Sequence, residues 1–414
     1  MKSYGDDGVG AALNEEESAT SGSRGGSDDS KRRISSSSAL QSFLDHIPIS
    51  AISGLHTSVP VVEVKFDDSV EHAIRLLYEN NVCGAPIADP AANTSSRKSM
   101  DRDIGFIELS SMVLWSIEEI NKVKEESEGS SLGLLDLIAN NSLIGQTKIA
   151  ELAKSFMWEP FFPAHEDNTL FHLLLLFTKH HRLNVIPVIG SSNSSIIGFI
   201  TQHAVIELLL QSRGLEWFDE IADKYLSEFG LINASGVVYS DQSLADALHI
   251  LWDKQLHQVP IVDPISGMLT GCVTRSDIYL LLEDDSLFNK RKVLTVEEFT
   301  KFRDAERDQS CNQSTEKEYS SAGLLRLTRT SNLVTLKKTD SLKKAMENMV
   351  ASMSESSFFV GDSGKLEGTV TLRDVLLPFS PPSMDSRING GSFFTSLLNQ
   401  AGCHVDDGEM IQDL

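Results

Sequence analysis

The sequence predicts an α/β fold built from one short supersecondary unit repeated four times. Three observations predict it. The first is a pair of like stretches, Gly271-Cys272-Val273-Thr274-Arg275-Ser276-Asp277 and Gly368-Thr369-Val370-Thr371-Leu372-Arg373-Asp374. Each reads as an apolar strand that ends on Thr and turns at once into a helix. The second is an amphipathic helix upstream of each stretch. Leu244, Ala247, Leu248 and Leu251 follow Asp241 and Ser243; Leu342, Ala345, Met346 and Met349 follow Asp340 and Ser341. Both series have the i, i+3, i+4, i+7 spacing of a helix with one buried face, and the Asp and Ser are placed to cap it. The third is that the pattern recurs at Val70, Ala73, Ile74 and Leu77 after Asp68-Ser69, and at Leu170, Leu173, Leu174 and Phe177 after Asp167-Asn168-Thr169.

The rest of the unit follows each helix. A short apolar strand comes first: Ala85–Ala88, Val185–Ile189, Val259–Val262 and Phe358–Val360. A loop leads to a second strand opening on Gly105, Gly198, Gly271 or Gly368. The unit is therefore an extended lead-in, helix, strand, turn, strand and helix. In the twin stretches Asp lies three residues after Thr, in the first turn of the closing helix. A carboxylate there interacts well with the helix dipole and stays ionised, so it is an acceptor for paired hydroxyls such as those of a ribose. The Thr hydroxyl either caps the helix or binds a ligand. The same spacing also fits residues that only cap.

This unit resembles the cystathionine-β-synthase (CBS) domain, and four copies in one chain resemble the gamma regulatory subunit of AMP-activated protein kinase and its sucrose-non-fermenting-related counterparts. Ser42-Phe43-Leu44-Asp45-His46-Ile47-Pro48-Ile49-Ser50, Trp158-Glu159-Pro160-Phe161-Phe162 and Gly214-Leu215-Glu216-Trp217-Phe218 are similar to the plant form of that subunit. The resemblance implies β-α-β-β-α repeats paired into two tandem CBS (Bateman) modules forming a disc, with AMP, ADP or ATP bound between repeats and no required cofactor. It implies a non-catalytic subunit of a heterotrimeric, energy-sensing Ser/Thr kinase complex, held to a kinase alpha subunit and a beta scaffold subunit. Such a complex regulates carbohydrate metabolism and gene expression, in the cytoplasm or nucleus. A CBS-domain scaffold that no longer senses nucleotide is the alternative. The nucleotide-binding residues implied are Thr274, Asp277, Thr371 and Asp374 at the repeat three/four pair, with His257, Arg275, Thr201 and Arg182 as further candidates.

Taken in order, residues 1–40 are rich in Gly, Ser, Asp and Glu and read as a disordered tail. Its Lys31-Arg32-Arg33-Ile34-Ser35 run reads as a solvated stretch, a basic-directed phosphorylation site or a nuclear address. Repeat one spans 41–120; Glu108 and Ser111 stand where Thr and Asp would be, and Cys83 stands for the family's Arg. A linker, 121–144, contains a short apolar turn, Leu132–Ile138. Repeat two spans 145–212, and its helix Leu170–Phe177 is apolar on nearly every side, which predicts burial all round. His180-His181-Arg182 reads as a phosphate clamp or as a solvated helix end. Thr201 is kept in the closing motif, with Ala204 for Asp.

Repeat three spans 216–283, with His257 before its strand and Gln258 for the family's Arg. His257 is a candidate phosphate contact or a surface residue. A charged connector, 284–321, contains a helix over Val296–Arg307. Repeat four spans 322–380, where Glu355-Ser356-Ser357 replaces the family's His-Arg pair. Losing two charge-assisted hydrogen bonds would weaken anion binding by about two to four powers of ten. The tail, 381–414, places Phe393, Phe394, Leu397 and Leu398 on one helix face.

Composition restricts the function classes. Thirty-six basic residues against 59 acidic ones leave a net charge of −23, which disfavours nucleic acid and anionic membrane surfaces. Cys83, Cys272, Cys311 and Cys403 show no metal-ligand spacing and predict a reducing compartment, with Cys83 and Cys272 as core filler. No apolar run approaches the ~20 residues of a membrane span, and no apolar signal region opens the chain. The sequence shows no P-loop, kinase signature, zinc helix or nucleophile elbow, so an enzyme is not expected.

Overall fold

The structure, a computed structural model, describes residues 36–52, 55, 61–88, 103–122, 132–152, 159–180, 183–190, 195–230, 236–311, 333–380, 403–406 and 409–412. Of the expectations above, those on residues 1–35, on Arg182 and on Phe393, Phe394, Leu397 and Leu398 fall outside them.

The fold is mixed α/β, and the four units share one register. In each, a two-residue lead-in strand runs parallel to the first hairpin strand, with Val64 opposite Ile87, Ala164 opposite Val188, Val238 opposite Ile261 and Leu336 opposite Phe359. The hairpins are antiparallel, as in Gln258 opposite Thr274 and Ser356 opposite Thr371. Their first helices are Val70–Glu79, Leu170–Lys179, Leu244–Asp253 and Leu342–Ala351. In every one the buried residues include the predicted i, i+3, i+4, i+7 set. Ser69, Ser243 and Ser341 cap their helices through the N–H of His72, Asp246 and Lys344; Thr169 makes no such bond. The repeat-two helix is not buried all round: Phe171, His172, Leu175 and Leu176 are half-buried, because helix Ser36–His46 covers its outer side only in part.

Among the described residues, three non-glycine positions have left-handed backbone, Asn81, Gln255 and Met353. They occupy the same place in repeats one, three and four, just after the first helix. A left-handed residue there stops the helix and turns the chain into the strand, at a steric cost of about 1–3 kcal/mol each.

Packing follows a rule that periodicity does not contain. One apolar core joins repeats one and three, a second joins repeats two and four. The hairpin sheets make the other contacts. Phe106 of repeat one packs with Val185 and Phe199 of repeat two, and Leu269 of repeat three donates its N–H to Gly364 O of repeat four at 3.1 Å.

Each first helix is also opened by a segment from elsewhere in the chain. Val70 N–H reaches Thr147 O at 2.9 Å, Leu170 N–H reaches Ile47 O at 2.9 Å, Leu244 N–H reaches Leu294 O at 2.9 Å and Leu342 N–H reaches Lys224 O at 3.0 Å. So the opening segment of repeat one closes repeat two, and that of repeat two closes repeat one; the opening segment of repeat three closes repeat four, and the connector ahead of repeat four closes repeat three. These bonds satisfy helix N–H groups that would otherwise be orphaned.

Candidate functional site

The closing motifs of repeats three and four differ in what surrounds them, although their sequences are alike. In repeat four, strand Leu366–Thr371 delivers Thr371 to the N-cap of helix Leu372–Leu376. Asp374 Oδ2 accepts the Thr371 N–H at 2.9 Å and its hydroxyl at 2.8 Å, and the Asp374 N–H donates back to Thr371 Oγ1 at 3.3 Å. The carboxylate is thereby held in one orientation. Among the described residues its other oxygen makes no hydrogen bond.

Thr371 and Asp374 line a cleft of about 350 Å³ between repeats two, three and four. Asn184 and Gln202 come from repeat two, Gln255 and His257 from repeat three, and Glu355 and Arg373 from repeat four. The volume lies in the range of small-ligand sites. Both expected capping and an open face are therefore realised at Asp374.

A smaller cleft of about 110 Å³, between repeats one, three and four, shares His257, Gln258 and Glu355 with the first. Thr274, Arg275 and Cys83 lie here. Arg275 is engaged: its Nε donates to Leu256 O at 2.9 Å, and its Nη1 to Glu108 Oε2 at 3.2 Å and Ser111 Oγ at 3.4 Å. Thus Glu108 and Ser111, which stand where repeat one would carry Thr and Asp, hold the guanidinium of repeat three. Arg373, which sequence reasoning passed over, does the parallel job in repeat four. It donates Nη2 to Thr178 O of repeat two at 2.6 Å, and its buried Nε has no partner among the described residues. The signal was present, since both arginines lie between Thr and Asp of the motif.

The remaining candidates are placed as follows. Thr201 caps helix Gln202–Leu210 by accepting the Ala204 N–H at 3.3 Å, and lines neither cleft. Asp277 also lines neither, and is 6 % exposed. Arg182 lies outside the described residues, two positions before Asn184 of the large cleft. His180 stacks on Phe162 with ring centroids 4.1 Å apart. Cys272 is buried core, and Cys83 is half-buried.

Charge in the shared wall is balanced between four repeats. Burial lowers the pKa of His257, and Arg275 lowers it further; Glu355 and Glu108 oppose this and His203 adds to it. Burial raises Glu355, with His257 and Arg275 opposing and Glu108 adding. Glu355 is hemmed in by protein yet keeps an exposed face in the cleft. His203 of repeat two donates Nε2–H to Ser354 O at 3.2 Å, and burial holds its pKa down at about 4.

The His203 value has a testable sign. The folded imidazole stays neutral while the unfolded one takes a proton below about pH 6.5, so stability present above that pH is lost as pH falls towards 4. The expected loss is on the order of 3 kcal/mol. Urea midpoints at pH 7 and pH 4.5 should diverge more in the wild type than in His203→Asn. Equal slopes would show that His203 is not the titrating group.

Three stretches, residues 153–211, 236–284 and 327–378, match the CBS domain family. The chain is 24 % identical over 364 residues to SNF1-related protein kinase regulatory subunit gamma-1 of Arabidopsis thaliana, covering 81 % of this chain and 82 % of the relative. It is 25 % identical over 420 residues to the gamma-1-like subunit of the same plant, covering 83 % and 88 %. Among solved structures, a protein of Methanocaldococcus jannaschii superposes with a TM-score of 0.51 at 18 % identity, over 78 % of this chain and 98 % of that one. That last likeness concerns the fold. Among the described residues no helix is long and apolar enough to cross a membrane, and no cluster of His, Cys, Asp and Glu could hold a metal ion.

Proposed function

From the premise that this is a CBS-domain chain similar to plant gamma-type kinase regulatory subunits, we propose that it is the non-catalytic gamma-type subunit of a heterotrimeric, energy-sensing Ser/Thr kinase complex. The observation that carries this reading is the extent of the likeness, which runs over about four-fifths of both chains rather than over a single repeat. The partners are a kinase alpha subunit and a beta scaffold subunit, in the cytoplasm or nucleus, acting on carbohydrate metabolism and gene expression. The test is co-expression with an alpha regulatory region and a beta C-terminal region, followed by gel filtration. A ternary peak is expected; a gamma chain that elutes alone overturns the reading.

The adenine-nucleotide site we assign to the large cleft, with Asp374 as the ribose acceptor and Thr371 fixing it. Gln202, Asn184 and Gln255 offer amides for a base. Arg373 lines the cleft, Arg182 precedes Asn184 by two positions in sequence, and Glu355 opposes a phosphate. A fixed carboxylate with one unbonded oxygen in a cleft of this size supports the assignment. Binding of this kind regulates by favouring one of two arrangements of the complex.

One observation favours a second reading, a scaffold that senses nothing. Glu355 stands in the cleft wall where a phosphate needs a cation. Calorimetric titration with AMP and with ATP separates the two. Saturable heat supports the sensor, and its absence leaves the scaffold.

A further inference from the structure

Asp277 holds the place in repeat three that Asp374 holds in repeat four, yet it is sealed. The connector helix Val296–Cys311 crosses the motif strand Leu269–Thr274. Val296 and Phe299 are fully buried in the core of repeats one and three. The helix lies against this strand: a Cβ built on Gly271 would sit in ordinary van der Waals contact with Thr300 Cγ2 at 3.8 Å and Ile261 Cδ1 at 3.4 Å. One turn beyond Phe299, Arg303 Nη1 donates to Asp277 Oδ2 at 3.0 Å and to Cys272 O at 2.9 Å. The same oxygen accepts the Thr274 N–H at 2.7 Å. The two side chains are 12 % and 8 % exposed.

Val296, Phe299 and Arg303 are spaced i, i+3, i+7, so the guanidinium is the last member of the buried stripe. From residue 301 to 306 every side chain but Arg303 is exposed. Within residues 301–306, Arg303 is the side chain that buries against repeat three, through Asp277 and the Cys272 carbonyl. Removing one partner of a buried pair leaves the other charge uncompensated.

We propose that this helix is a latch in which Arg303 takes the place on Asp277 that the hydroxyls of an external ligand would take. Repeat three stays closed while the helix is seated, and ligand binding is confined to repeat four. Release of the helix exposes a second carboxylate. In sequence the connector leads into repeat four, whose motif lines the open cleft. The stoichiometry expected below rests on Asp374 being the ligand carboxylate; the latch does not.

The test uses the full chain with two readouts. Hydrogen exchange should quicken about tenfold or more over residues 300–311 in Arg303→Met and in Asp277→Asn, the effect of losing one charge-assisted bond. The double variant should be no faster than Arg303→Met alone, since the contact to Asp277 is already gone in it. In calorimetric titrations with AMP, the wild type should bind one equivalent, Asp374→Asn none, and Arg303→Met a second equivalent that disappears in Arg303→Met/Asp277→Asn.

Arg303→Lys keeps the charge and should fall between wild type and Met, which separates unlatching from misfolding. Wild-type exchange and stoichiometry in Arg303→Met overturn the latch. So does wild-type binding lost in Asp277→Asn but kept in Asp374→Asn. If the wild type binds no AMP, the assignment of the open cleft fails. The latch then stands or falls on exchange and on whether Arg303→Met/Asp374→Asn gains a site that needs Asp277.

Discussion

Asp374→Asn should cost about two to four powers of ten in affinity for AMP or ATP at the large cleft, read as the dissociation constant by titration calorimetry. The size follows from the proposed role of the carboxylate, which is to accept two ribose hydroxyls that a neutral amide would hold less well. Each charge-assisted hydrogen bond contributes roughly 1.5–3 kcal/mol, and two amount to that range of affinity. The fold should hardly notice. The Asn carbonyl can still accept the Thr371 N–H that Asp374 Oδ2 accepts at 2.9 Å, so the cap survives. Loss of a cap altogether costs about 0.5–2 kcal/mol, which bounds the change in stability. An affinity within threefold of wild type would show that Asp374 is only a cap. The matching change at Asp277 should leave affinity alone, because that carboxylate is engaged by Arg303.

Phe218→Ala should lower stability by about 3–5 kcal/mol, measured from urea midpoints, the range for removing a buried phenyl ring. Phe218 is 0 % exposed. It belongs to helix Glu216–Ala222, which opens repeat three in the chain, but its ring lies in the core of repeats two and four. There it stacks on Phe379 at 5.4 Å and meets Trp217 edge-on at 5.8 Å. Phe218→Leu should cost clearly less, since most of the volume is kept. A loss under about 1 kcal/mol for Ala would mean that the exchanged segment is not part of the core. The result tests the packing of the repeats directly, because no ligand or partner enters it.

Much of the unit was legible beforehand. The four helices bury the residues their spacing named, and the four first strands begin within two residues of where composition placed them. Those signals are local, set by side-chain periods of 3.6 and 2. The site was legible only in part. Thr371 and Asp374 were visible as a motif, and so was His257 ahead of its strand. Arg275 read as a free cation because its partner, Glu108, lies 167 residues away. Glu108 itself read as a lost ribose contact, whereas its carboxylate neutralises that guanidinium across repeats.

By itself the sequence determined that one α/β unit was written four times, and which face of each helix is greasy. It did so because helix and strand periodicity, capping and turn chemistry act within a dozen residues. Which repeat packs on which, and which segment crosses over to close each helix, only the tertiary structure decided. All four apolar stripes have the same spacing, so pattern cannot tell one partner from another; shape and charge across distant segments can. The same is true of the two motif carboxylates. They share the pattern Gly-x-Val-Thr-x-x-Asp, and a single arginine arriving from a different helix makes one a closed pair and leaves the other facing a cleft.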